Sequence, residues 1–233
     1  MTPWADGERP RTAHNGHDGR NVRERTTEAL VTNEERKPPR RPAMFSPAAI
    51  EAHSAAFDPM KEIEAAHETA RVLVHAGRES HDPVLTARLV ALVEELGLTT
   101  VADLWAHRPA RTLPGALWRL YVLREWVRRD PAGASADYSA GMRFTDVNHA
   151  VAGPAEPTGP DEIMALTDAI LTGVFEGDLA VALDRAAAFC RVVAAGRGDR
   201  TEGEEEAQRA AQLLVTAEDL TAGAHLWRHS NLV

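Results

Sequence analysis

The chain has 233 residues, of which 44% are hydrophobic but only 5% aromatic, and its formal net charge is −9. That length suits one substantial domain or two small ones, and the negative charge removes any generic attraction to nucleic acid. The single cysteine, Cys190, excludes an intramolecular disulfide and a cysteine-based zinc cluster, which fits a reducing cytoplasm.

Ala, Leu, Val, Glu and Arg dominate while Ile, Thr and Tyr are scarce. Unbranched side chains lose less rotamer freedom in a helix, so the composition predicts an all-α protein. The Ala, Arg and Pro bias also suits a GC-rich bacterial genome. The first twenty residues lack the apolar run of a signal peptide, and no stretch reaches the roughly 18 apolar residues of a membrane span. The expectation is a cytoplasmic protein with no membrane segment and no cofactor.

Residues 1–43 are rich in Arg, Gly, Pro, Asn and Glu and end in "EERKPPRRP". Such a segment buries too little apolar area to offset the entropy of ordering, so a disordered tail is expected. Its Arg36, Lys37, Arg40 and Arg41 are the one place where nucleic acid or an acidic surface has an evident foothold. From residue 44 to 233 the chain reads as a helical domain of six or seven helices. Its candidate halves, 44–129 and 160–233, are joined by a Gly- and Pro-rich loop over 130–159.

Helix punctuation begins at "SPAAI", with Ser46 before Pro47, and recurs at Asp58–Pro59 and Asp82–Pro83. In the second helix Met60, Ile63, His67, Ala70 and Val74 share one face. Leu85, Leu89, Leu92 and Leu96 form the stripe of a third, stopped by Gly97. "TTVADLWAH" is a short helix in which Thr100 and Asp103 have capping-box spacing.

"LPGALWRLYVLREWVRRDP" (113–131) is apolar on two sides. Leu113, Leu117, Leu120, Leu123 and Val127 form one stripe, and Trp118, Val122 and Trp126 lie nearly opposite. Arg124, Arg128, Tyr121 and Glu125 fall between. Such a helix is central in a bundle, its tryptophans packed against flanking helices with Trp105 among their neighbours. The alternative is a docking face built on Trp118, Trp126, Arg124 and Arg128, residue types enriched at interface hot spots.

After the loop, in which "MRFTDVNHAV" suggests a short strand or turn, three helices follow. The first, opened by Pro160, has the stripe Ile163, Leu166, Ile170 and Val174. The second, capped by Asp178 and ended by Gly196, points Leu179, Leu183, Ala186, Cys190 and Val193 inward. The third carries Ala210, Leu213, Ala217, Leu220, Ala224 and Trp227 at three- and four-residue spacing, a coiled-coil-like seam and a candidate homodimer contact.

The chemistry-bearing motifs are weak. Glu64 and His67 have the i, i+3 spacing of a di-iron helix, but the only comparable pair is Asp146 and His149. "HETAR" has Arg71 where a zinc protease needs its second histidine. His225 and His229 lie one turn apart near the end of the last helix. Asp82 of the His81–Asp82 pair is better explained as a helix cap, and His17–Asp18 falls in the tail. "VEELG" and "EGEEEAQ" lack the paired Glu-x-x-Glu spacing of a helical pyrophosphatase. No nucleophile elbow, Walker loop or dinucleotide fingerprint is present.

At "LPGALWRLYVLREWVRRDP", "VAGPAEPTGPDEI" and "GVFEGDLAVALDRAAAFCRVVA" the chain resembles an uncharacterised family of small helical proteins from GC-rich bacteria. The resemblance covers residues 60–229. Some members carry automatically assigned labels as RNA polymerase β-subunit-related proteins, which implies a transcription-linked partner and transfers no functional residues. The favoured expectation is a non-enzymatic, cytoplasmic interaction or regulatory protein docking through the tryptophan helix, its acidic last helix or both, with RNA polymerase a candidate partner. The alternative is a metal-dependent hydrolase or oxidase using Glu64, His67, His75 and His81.

Overall fold

The computed structural model describes residues 58–153, 158–200 and 203–232. The expected tail over 1–43 and the helix start at Ser46 lie outside these residues. Among the described residues there are ten α-helices and no strand, rather than six or seven helices. They are α1 (Pro59–Ser80), α2 (Pro83–Val90), α3 (Leu92–Leu96), α4 (Leu98–Trp105), α5 (Leu113–Arg129), α6 (Pro131–Met142), α7 (Asp146–Ala152), α8 (Pro160–Glu176), α9 (Leu179–Arg200) and α10 (Glu204–Arg228).

The Asp-capped helix starts form as the sequence implies. Asp58 accepts from the Met60 amide at 3.0 Å, Asp82 from Val84 at 2.8 Å, and Asp178 from Ala180 at 2.8 Å. Each satisfies one of the orphan N–H groups of a helix start. Two further caps, Thr112 on Gly115 and Asp130 on Gly133, open α5 and α6.

The expected 83–96 helix breaks at Ala91, whose φ of −87° and ψ of 18° leave the α basin. Leu96 is consequently exposed, while Leu89 and Val93 turn inward. Gly97 then takes φ +84°, and α4 starts one residue later without a side-chain cap. Thr100 and Asp103 therefore do not form a capping box.

The expected loop at 130–159 is the largest correction. Most of it is helical, as α6 and α7, and "MRFTDVNHAV" runs from the end of α6 into α7 rather than forming a strand. The Gly, Ala and Ser content that resembles a loop instead lets α6 approach α9 closely. Tyr138 of α6 stacks on Phe189 of α9 with ring centroids 5.3 Å apart, and its hydroxyl lies 3.0 Å from His149 Nδ1, which fastens α7.

Helix α9 is the centre, flanked by α6, α7, α8 and α10, with α5 touching it more lightly. Its inward stripe is buried as the pattern predicts, and burial continues around the helix through Ala187, Ala188, Phe189 and Val192. It also runs past Gly196 to Arg200 instead of ending there. α5 packs on α8, α1 and α4, so the bundle has a second layer. Leu113, Leu117, Leu120, Leu123 and Val127 all face that interior. Each buried Leu or Val stabilises the fold by roughly 1.5–3 kcal/mol.

On α1 the buried line is Ala66, Ala70, Val74 and Gly77, while Met60 and Ile63 face solvent. The small residues win because α1 lies tight on α8: a Cβ at Gly77 would sit 2.8 Å from Phe175 Cβ. The α10 seam is also satisfied within the chain. Ala217, Leu220 and Ala224 are buried, and α10 lies along α9, while Leu213 and Trp227 are half-buried.

Candidate functional site

Trp118, Val122 and Trp126 follow one another at four-residue intervals, which aligns them along the outer face of α5. α10 runs beside that face without closing over it. The two helices leave an open groove of about 690 Å³, with Leu213, Gln212 and Thr216 as its opposite wall. Val122, between the two indoles, remains 37% exposed, too much for a core valine. The indoles themselves are half-buried, with their inner parts packed against the core.

The groove's charged margins are already ordered. The Arg119 guanidinium donates to the Gly115 carbonyl at 2.9 Å and lies 3.3 Å from Asp219, tying α5 to α10. The Arg197 guanidinium sits 5.2 Å from the Trp126 ring centre and pairs with buried Asp137 at 2.9 Å. Arg209 pairs with Glu205 and Glu206 on its own helix. Among the described lining residues the only carboxylate, Asp130, caps α6.

Of the four residues expected to form a docking face, the structure places Trp118 and Trp126 in the groove and Arg124 and Arg128 elsewhere. Arg124 is buried on the other flank of α5. Its guanidinium reaches Glu94 at 2.7 Å and Asp168 at 2.6 Å. Arg128 reaches the same two carboxylates at 3.3 and 3.4 Å. Burial alone would lower the Arg124 pKa, but hydrogen bonds to Glu94 and Asp168 outweigh it and raise the value. These arginines join α3, α5 and α8, with Arg124 buried and Arg128 partly exposed.

Tyr121, from the same sector, donates to the Leu89 carbonyl at 2.6 Å. Its burial, opposed by Arg124 and assisted by Glu94, pushes the phenol pKa well up. Trp105 does not line the groove among its described residues. It lies in the core, tilted against Tyr121 at 6.0 Å, with its indole N–H donating to Thr69 Oγ1 at 3.3 Å.

The residues of the metal alternative do not converge. Glu64 and His75 are eleven residues apart on one helix, about 16 Å along its axis. His75 Nε2 lies 3.2 Å from Glu79, and His81 Nδ1 lies 3.1 Å from the Glu79 carbonyl. Among the described residues no group of three or more His, Cys, Asp or Glu side chains could hold a metal ion. Asp146 is exposed, while His149 serves Tyr138. His225 and His229 stack on each other at 4.3 Å, and His229 Nδ1 lies 2.8 Å from the His225 carbonyl. Cys190 is fully buried, and that burial pushes its thiol up to about 12, the opposite of an activated nucleophile.

Two features go beyond the sequence expectation. That α10, the acidic last helix, and the tryptophan line form the two walls of one groove depends on tertiary packing and has no local signal. A second cavity, of about 300 Å³, is lined by His67, Arg71, His75 and Arg78 of α1 together with Trp227. Here a signal existed, since the four basic residues recur at intervals of four, four and three.

No family model, curated protein or solved structure matches this chain. No helix among the described residues is long and apolar enough to cross a membrane.

Proposed function

We propose that the protein is a non-catalytic interaction protein whose partner lays an amphipathic helix into the groove between α5 and α10. The observation carrying this reading is the uncovered line Trp118, Val122 and Trp126. That line extends about 12 Å, the length of two helical turns, and presents one aromatic anchor at each end. A helix with apolar residues at i, i+4 and i+8 matches it in period, which is the helix-in-groove mode of recognition. Half-buried tryptophans that already pack on the core contribute contact area without losing much side-chain freedom on binding.

The resemblance noted above makes RNA polymerase the first partner to test and a transcription-linked role the finer form of the proposal. The experiment is gel filtration of the purified chain with bacterial RNA polymerase, followed by the same run with Val122→Glu. Co-elution that the charge abolishes supports both the groove and the partner. Co-elution that survives Val122→Glu overturns the groove, and separate elution of the native protein overturns the polymerase link.

A further inference from the structure

We infer that the smaller cavity, between α1 and the end of α10, binds a small phosphate monoester carried on a flat apolar body. This site is independent of the groove and lies against other residues. Among the described residues its charged and titratable lining is basic or imidazole: Arg71, Arg78, His67 and His75. None of these described lining residues is a carboxylate, in a chain whose formal net charge is −9. A local cationic hollow in an acidic protein concentrates anions against the overall field.

The placement follows from helix geometry. The buried line of α1 is Ala66, Ala70, Val74 and Gly77, and His67, Arg71, His75 and Arg78 each follow one of these residues directly. A step of 100° sets all four on the ridge where the core meets solvent. There all four border the cavity, His67 and Arg78 half-buried and Arg71 and His75 largely exposed. Arg71 and His75 lie one turn apart, the interval at which two side chains grip a single oxyanion.

Arg78 is held in place rather than neutralised. Its guanidinium donates to the Gly177 carbonyl at 2.8 Å and lies 5.3 Å from the Trp227 ring centre. Both partners are uncharged. The acids near the other two heads, Glu68 3.1 Å from Arg71 and Glu79 3.2 Å from His75, belong to solvent-exposed pairs along the same helix. Such pairs are weak and yield to a phosphate, which accepts several charge-assisted hydrogen bonds at once.

The remaining wall explains the flat body. Trp227, Leu113 and Leu232 supply its apolar surfaces. The chain reverses at Ser230, where φ is +56°, and the Asn231 amide bonds the Leu226 carbonyl at 2.9 Å, which brings Leu232 back into the protein. Its side chain is buried there. A volume of about 300 Å³ is at the lower end of small-molecule sites and holds a single ring with its phosphate.

The test is isothermal titration of the full chain with phenyl phosphate, and separately with inorganic phosphate. We expect one saturable site for phenyl phosphate, with inorganic phosphate at least about tenfold weaker for want of the ring contact. Arg71→Gln, a change at an exposed side chain, should weaken phenyl phosphate by about tenfold or more while leaving Tm unchanged. Absence of saturable binding by either probe overturns the site. Binding that is indifferent to Arg71→Gln does the same, and equal affinity for the two probes overturns the apolar half of the inference.

Discussion

Gly141 of α6 and Gly196 of α9 face each other so closely that a Cβ added to Gly141 would lie 2.9 Å from the Gly196 backbone nitrogen. Both positions also abut backbone carbonyls of the opposing helix, those of Val192 and Asp137. Backbone cannot step aside as a flexible side chain can. Gly196→Ala is therefore expected to destabilise the fold by about 1–3 kcal/mol, read as a lower midpoint in urea. An unchanged midpoint would contradict the close helix contact.

The Arg124 network yields a second expectation. Arg124→Met keeps the stem but leaves Glu94 and Asp168 with only the more exposed Arg128. Because both carboxylates are more than a third exposed, the cost falls below that of a wholly buried pair, at about 2 kcal/mol. In a double-mutant cycle with Asp168→Asn the two losses should be clearly less than additive. Simple additivity would mean that the pair is not coupled.

Alkaline stability has a defined sign. Burial holds the Cys190 thiol near 12 against an ordinary 9.0, and the Tyr138 phenol near 12 against 10.0. Both folded-state values are raised, so the unfolded chain releases these protons first. Their contribution is complete below about pH 9 and is lost progressively as the pH rises toward 12. Tm measured from pH 8 to 12 should fall over that window, and Cys190→Ala should move the onset toward pH 10. A thiol reagent at neutral pH should modify Cys190 only as fast as the protein opens.

Asp130→Ala removes the acceptor of the Gly133 amide, 2.9 Å away at the start of α6. A cost of about 1 kcal/mol is expected, with faster hydrogen exchange concentrated in the first turn of α6. Uniform loss of protection across the bundle would show that Asp130 acts other than as a cap.

Much of the architecture was legible because it rests on local physics. Asp58, Asp82 and Asp178 cap the helices they precede, and the stripes of α8 and α9 are buried where periodicity places them. What failed depended on distance between helices. The Gly- and Ser-rich segment 130–153 resembles a loop until Gly196 is set opposite Gly141. Met60 and Ile63 look like core residues until Phe175 is found against Gly77.

The candidate site shows the same division. The Trp118, Val122 and Trp126 line is a matter of spacing on a single helix and is visible in the sequence, although two apolar stripes on one helix favour an interior reading over a docking one. That Arg124 and Arg128 serve Glu94 and Asp168 was not visible, since those carboxylates arrive from helices thirty and more residues away. Nor could spacing on α5 show that α10 stops short of covering Val122.

The position of α9 at the centre has a consequence for the order in which the protein is made. A chain emerges from the ribosome amino end first. α6, α7 and α8 can therefore assemble on α9 as soon as it appears, whereas α10 is the last described helix to be synthesised. Until it arrives, the flank of α9 that carries Leu183 and the outer side of Ala116 remain bare, since Gly223 of α10 is what rests against them. The nascent protein therefore passes through an interval with an open apolar seam, which α10 covers when it docks.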